Sequence, residues 1–219
     1  LIEEKGPSAL KIIKGMFSFV IYDIKNNKIF VARDRFGIKP LYYYKNNNKI
    51  VFSSEIKPLL RIKNASSFNE ESFFDLFNKG YLDHDEKTFF KDINSLMPGH
   101  QLKVGATKKL SIKKYWEISY QNHNIFTNNK NESDQSEKIK FYLNQSINSH
   151  LISDVDIGLF LSGGSDSNSI ANLIKFNSDI RIENFTYSFK NENKFSEVNN
   201  AKKVSTLLNQ KHHVEVIDP

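Results

Sequence analysis

The chain has 219 residues, 39% of them hydrophobic and 13% aromatic, with 18 Phe and 9 Tyr, which is ample surface for a core and too much for a disordered tail. Its 31 basic and 25 acidic residues leave a charge of +6, carried almost entirely by Lys scattered along the chain, whereas a nucleic-acid interface needs a clustered basic face with aromatics between; that class is set aside. No apolar run approaches the roughly 18 residues of a membrane span, no leader is expected at the front, and the absence of Cys excludes disulfides, thiolate metal sites and cysteine nucleophiles from these residues.

Residues 1–15 read as the tail of a helix that runs into a strand without a start signal, so the chain looks cut at its front. Apolar residues alternate or run on over 17–24, Lys25, Asn26, Asn27 and Lys28 supply a turn, and a second strand covers 29–33. A further hairpin pairs 40–44 with 50–54, making 16–54 an antiparallel meander. Asn69 is a helix cap, Gly80 a helix end, and Phe73, Phe74 and Phe77 between them share a face expected to be core. Met97, Pro98, Gly99 and His100 lead to a strand over 101–104 and on to Lys114, Tyr115 and Trp116.

From Tyr120 to Glu137 the composition collapses to polar residues, the mark of a linker. After it the period changes from two to about three and a half, with Ile139, Leu143, Ile147 and Leu151 on one helix face and Ser133 or Asp134 as cap. A strand over 157–161, a helix over 167–176, a strand over 182–189, a helix capped by Ser196 with Val198, Ala201, Val204 and Leu208 inward, and a strand over 213–217 complete the walk. Strand, helix, strand, helix, strand means a parallel sheet with crossovers, and such a sheet would normally still be growing at Pro219.

Chemistry concentrates in Ser162, Gly163, Gly164, Ser165, Asp166 and Ser167, between an apolar strand and an amphipathic helix. Two adjacent glycines let backbone approach an anion, their amides and those of the helix start act as donors, and the hydroxyls of Ser162 and Ser167 add two more. Asp166 is tolerable beside a polyphosphate only with a divalent cation between them. The pattern therefore reads as a pyrophosphate cradle with a magnesium ligand. Its five fixed positions, at about 7% usage each, would coincide by chance in roughly three per ten thousand chains of this length. The Lys-containing Walker pattern is absent.

The loop resembles that of the N-type ATP pyrophosphatases, and SDVDIGLFLSGGSDS is very similar to the corresponding stretch of glutamine-dependent asparagine synthetases. GMFSFVIYD, RDRFGIKPLYYY, FSSEIKPLL, LMPGHQLKV followed by KYW, and HHVEV resemble that family's other landmarks, in its order and over essentially the whole chain. The resemblance implies a fold of α+β followed by α/β: the C-terminal part of an antiparallel class II amidotransferase sandwich over 1–119, a polar linker over 120–133, and the start of a parallel-sheet ATP-pyrophosphatase domain, similar to the adenine nucleotide α hydrolases, over 134–219. It implies ATP-dependent amide formation from aspartate and glutamine, with ATP and Mg2+ required, glutamine, aspartate and ATP as small-molecule substrates, no nucleic acid or membrane partner, a cytoplasmic setting, and room for a homodimer. By the same resemblance Ser162, Gly163, Gly164, Asp166 and Ser167 hold pyrophosphate, Asp166 through Mg2+, and Leu161 and Tyr187 hold the adenosine part. The family's glutaminase cysteine and its glutamine-binding residues would fall before Leu1, and its remaining adenylation residues after Pro219, so this stretch alone is expected to be inactive. A relative that amidates a sugar or a secondary-metabolite carboxylate, and a non-catalytic ATP-binding scaffold, remain as alternatives.

Three other clusters read as structural. Arg33, Asp34 and Arg35 with Gly37 and Pro40 form a dense turn whose charges are expected to satisfy one another, and Glu55 and Lys57 are read the same way. Adjacent His212 and His213 entering a strand point to opposite faces and cannot share one metal ion easily.

Overall fold

The computed structural model describes residues 1–64, 67–82, 84–105, 109–119, 132–178, 180–190 and 197–218. The polar tract over 120–131 and the expected cap Ser196 lie outside them. The chain divides into two compact units, Leu1–Gln121 and Asn122–Pro219: antiparallel sheets make up the first and a parallel sheet the second.

In the first unit, helix α1 (Ile2–Lys5) passes into a 3-10 turn over Gly6–Lys11 that buries Ala9 and Leu10. Strands β1 (Ser18–Asp23) and β2 (Lys28–Arg33) form the expected first hairpin, and β3 (Tyr42–Lys45) and β4 (Ile50–Ser53) the second. They do not form one meander. Helices α2 (Ile56–Lys63) and α3 (Glu70–Lys79) follow, and strands β5 (Ile93–Ser95), β6 (His100–Val104) and β7 (Leu110–Lys114) close two separate antiparallel sheets, ordered β1-β2-β6-β7 and β4-β3-β5. One cluster joins them, with Val31, Leu102 and Val104 from the first sheet against Tyr43 and Phe52 of the second. The meander expectation fails because the apolar faces of the two hairpins bury each other across a sandwich, which local alternation cannot distinguish from side-by-side pairing.

Helix α2 was not foreseen. Pro58 masks it in the sequence, yet Pro58 sits in its first turn, where the missing N–H has no intrahelical partner in any case. Leu59 packs from it against Tyr44 and Ile93 on the outer side of the second sheet. Helix α3 runs from its Asn69 cap to Gly80 as expected, but the phase of its stripe is wrong. Phe73, Phe74 and Phe77 are 49%, 68% and 75% exposed, while Ser72 is buried, so the inward face is the complementary one, rotated away from the phenylalanines. These gather on the outside, Phe73 and Phe77 with ring centroids 4.9 Å apart.

The second unit opens with helix α4 (Glu132–His150). Ser133 and Asp134 lie inside it and do not cap it, and only the C-terminal end of its apolar stripe is covered: Ile147 and Leu151 pack with Ile174 and Ile182, whereas Ile139 stays exposed. Strand β8 (Gly158–Phe160), helix α5 (Ser165–Asn177), strand β9 (Glu183–Phe189), helix α6 (Val198–Leu207) and strand β10 (His212–Ile217) build a parallel sheet ordered β10-β9-β8. Leu161, Ala171, Ala201 and Leu208 form the cluster between the sheet and these two helices. Along β9 the side chains alternate: Asn184 and Thr186 are buried, while Phe185, Tyr187 and Phe189 are exposed.

Candidate functional site

The turn after β8 carries six of the seven expected site residues. Leu161 anchors it. Its side chain is buried in the α5–α6 cluster, its N–H donates to Phe185 O at 2.9 Å, and its carbonyl accepts from Thr186 Oγ1 at 2.6 Å. The chain then leaves the carboxyl end of β8, the edge at which open α/β sheets bind ligands.

The two glycines serve different ends. Gly163 has φ +78°, and a Cβ there would stand 2.6 Å from Asn200 Cβ and 2.8 Å from the Ala201 amide of α6, so the neighbour that forbids a side chain at this position is a helix. Gly164 has φ −76°, and its Cβ would meet only Ser162 Oγ, at 3.3 Å. This is the open side of the turn. Asn168 ties the pair from below, its backbone N–H donating to Gly164 O at 3.0 Å and its side-chain Nδ2 to Gly163 O at 3.0 Å.

Helix α5 starts at Ser165 with Gly164 as N-cap and no side chain capping it. Its first amides therefore lack both intrahelical acceptors and the Ser, Thr or Asp oxygen that usually replaces them, a vacancy an anion fills well. The hydroxyls of Ser162 and Ser167 lie 2.9 Å apart, and Ser167 Oγ also donates to Gly164 O at 3.2 Å, which holds the turn closed at its base. Asp166, in the first turn of α5, is exposed and accepts a hydrogen bond from Ser165 Oγ at 3.2 Å. Among the described residues no three His, Cys, Asp or Glu come together as a metal site. The uncapped helix start with one exposed carboxylate beside it is a donor set that fits a polyphosphate carrying a divalent cation.

Tyr187, the seventh expected residue, lies on β9 with its ring 5.6 Å from that of Phe160, on the sheet face away from the α5–α6 cluster, and is half exposed. From the sequence, Thr186 has no role and His212 is read only as a structural residue on the face opposite His213, which is where it lies. Thr186 Oγ1, which holds Leu161 O, also lies 2.8 Å from His212 Nε2; burial, then His213 and Lys202, push the His212 pKa down. The available signal was a hydroxyl in the inward phase of an otherwise aromatic strand. His213 turns to the other face, stacking on Phe185 at 4.8 Å and meeting Glu183 at 2.6 Å.

In the first unit the dense turn after β2 is spent internally. Asp34, 1% exposed, accepts backbone N–H groups from Phe17, Phe36, Ile38 and Lys39 at 3.3, 3.1, 3.0 and 2.9 Å. Arg33 donates to the carbonyls of Gly37, Lys39 and Leu96 and to Ser95 Oγ. The charges do not satisfy one another as expected: Arg33 and Asp34 are met mainly by backbone groups, while Arg35 donates to Lys11 O at 3.1 Å and its buried Nε finds no hydrogen-bond partner among the described residues.

Two protein families match separate stretches of the chain. The glutamine amidotransferase domain family matches residues 1–116 and the asparagine synthase family residues 138–219. Two Bacillus subtilis proteins named glutamine-hydrolysing asparagine synthetase are similar to it: synthetase 2 is 37% identical over 187 residues, covering 82% of this chain and 25% of that protein, and synthetase 1 is 30% identical over 209 residues, covering 94% and 32%. A putative synthetase of the same name from Methanocaldococcus jannaschii is 29% identical, covering 97% and 41%. The chain belongs to the glutamine-hydrolysing asparagine synthetase family, and it spans between a quarter and about two fifths of the length of these relatives.

Proposed function

We propose that the protein containing this chain makes asparagine from aspartate, taking nitrogen from glutamine and driving the reaction with ATP cleaved to AMP and diphosphate: aspartate, glutamine, ATP and water give asparagine, glutamate, AMP and diphosphate. The relatives' names support the reaction, and the observation that carries the ATP half is the uncapped start of α5 beside Gly164, with Asp166 exposed in its first turn. Residues 1–119 belong to the glutamine-hydrolysing part and 134–219 to the ATP-using part in this reading, joined through 120–133.

Within the loop, Gly164 and the first amides of α5 hold the phosphates, Ser162 and Ser167 shape the cradle and offer hydroxyls, and Gly163 lets α6 approach behind it. Leu161 positions the loop through its backbone, and Tyr187 and Leu161 border the adenosine part. Asp166 holds Mg2+, whose contribution when bound is to offset charge on the leaving diphosphate. In the full-length protein, Asp166→Asn is expected to abolish diphosphate release and asparagine formation while glutamate formation from glutamine continues, because glutamine hydrolysis needs no phosphate. Diphosphate released at the normal rate by this variant would remove Asp166 from the site.

A further inference from the structure

The peptide joining Leu161 to Ser162 is the first of the loop, and both of its polar groups are engaged. The carbonyl accepts from Thr186 Oγ1 at 2.6 Å, and the Ser162 N–H lies 3.4 Å from Ser167 Oγ. Thr186 is 5% exposed, one strand away on β9, and its Oγ1 is 2.8 Å from His212 Nε2, a further strand away on β10. A threonine hydroxyl has a single proton and a carbonyl can only accept, so that proton belongs to Leu161 O. His212 Nε2 must then carry a proton of its own and donate it to Thr186. A bare Nε2 would compete for the Thr186 proton and leave the buried carbonyl without a donor.

We propose that Thr186 and His212 are positioning residues that set the plane of the first loop peptide, His212, as the Nε2–H tautomer, aiming the Thr186 hydroxyl at Leu161. Rotating that peptide would carry Ser162 N–H away from Ser167 and, through the two hydroxyls 2.9 Å apart, shift the residue that closes the cradle. The consequence for nucleotide binding rests on the reading of 162–167 as the ATP loop; the geometric part does not.

The test uses the full-length protein that contains this chain, with Mg-ATP titrated calorimetrically, thermal melting alongside, 15N-resolved histidine spectra and hydrogen exchange at the Ser162 amide. His212 should show the Nε2–H tautomer. Thr186→Val, which keeps the shape and removes the hydroxyl, should weaken Mg-ATP about tenfold, the loss of one buried hydrogen bond, and speed exchange at Ser162. Thr186→Ser should restore both to within about twofold, and His212→Leu should give a loss of a few fold, since the hydroxyl then keeps its acceptor but not its orientation. An Nδ1–H tautomer in the unmodified chain, or Thr186→Val binding and exchanging as the unmodified chain does, would overturn the proposal; equal losses in Thr186→Val and Thr186→Ser would assign the position to packing instead. Should the unmodified full-length protein bind no Mg-ATP, the nucleotide reading fails, and Ser162 exchange in Thr186→Val against Thr186→Ser decides the positioning role by itself.

Discussion

Two turns in this molecule are built from similar residues and end up as opposites. The turn after β2 and the turn after β8 both leave a strand, both hold a left-handed glycine, Gly37 or Gly163, and both carry an aspartate. Around Asp34 the donors converge inward: four amides reach one buried carboxylate, and the turn is finished without a ligand. Around Gly164 the glycine's own N–H donates to Ser162 Oγ at 3.3 Å, but the first amides of α5 are left over, because the helix starts with no capping side chain, and Asp166 stays in solvent. A charged, glycine-containing turn is thus a structural corner or a binding cradle according to whether its polar groups are already consumed, and burial of the carboxylate is the sign that separates them.

The contrast predicts where substitutions hurt stability and where they hurt binding. The largest effect is expected at Asp34→Ala, which removes a buried carboxylate and leaves four amides without their acceptor: about 3 kcal/mol of stability should be lost, read as a fall in the urea midpoint, whereas Asp166→Asn should leave that midpoint within about 0.5 kcal/mol of the unmodified chain. Equal midpoints for the two variants would dissolve the comparison. Next comes the pair of glycines. Gly163→Ala should cost about 3 kcal/mol, part from the left-handed backbone and part from contact with the α6 backbone, while Gly164→Ala should leave the melting temperature nearly unchanged and weaken Mg-ATP instead. Calorimetry beside melting tells these apart, and a stable Gly163→Ala would mean that α6 can move off the loop.

The smallest effect concerns pH. His212 has a pKa below its ordinary value, so the unfolded chain takes up a proton more readily than the folded one, and stability should be unaffected well above pH 6.5 and decline as pH falls through that value toward the lowered one. Glu183 shifts the other way in charge terms: His213, then Lys211, hold its carboxyl below the usual 4.5, and its contribution, small at so exposed a site, is present above that value and lost only in more acid solution. Melting curves between pH 7 and 5 for the unmodified chain and His212→Leu check the first statement; parallel curves would show that His212 does not titrate differently on folding.

The amino-acid pattern by itself determined a good deal. Alternation of β-branched and aromatic residues gave both front hairpins, the change of period gave the helix and the parallel strands behind it, and the chain order of strand, Gly-Gly turn and helix gave the loop, since each of these has a signature within a short stretch of sequence. Asn69 and Gly80 bounded α3 for the same reason, as each cap is satisfied within a few residues. Tertiary structure alone decided that the hairpins part into two sheets, that Phe73, Phe74 and Phe77 face outward, and that α2 forms around a proline in its first turn. It alone separated Gly163, closed by Asn200 and Ala201, from Gly164, open to the outside, and joined Leu161 to Thr186 and His212 across 51 positions of sequence. The physical reason is common to all of these. Periodicity specifies that a face is apolar or a turn polar, but which partner covers the face, and whether the turn's donors are consumed, depends on side chains that arrive from elsewhere in the chain.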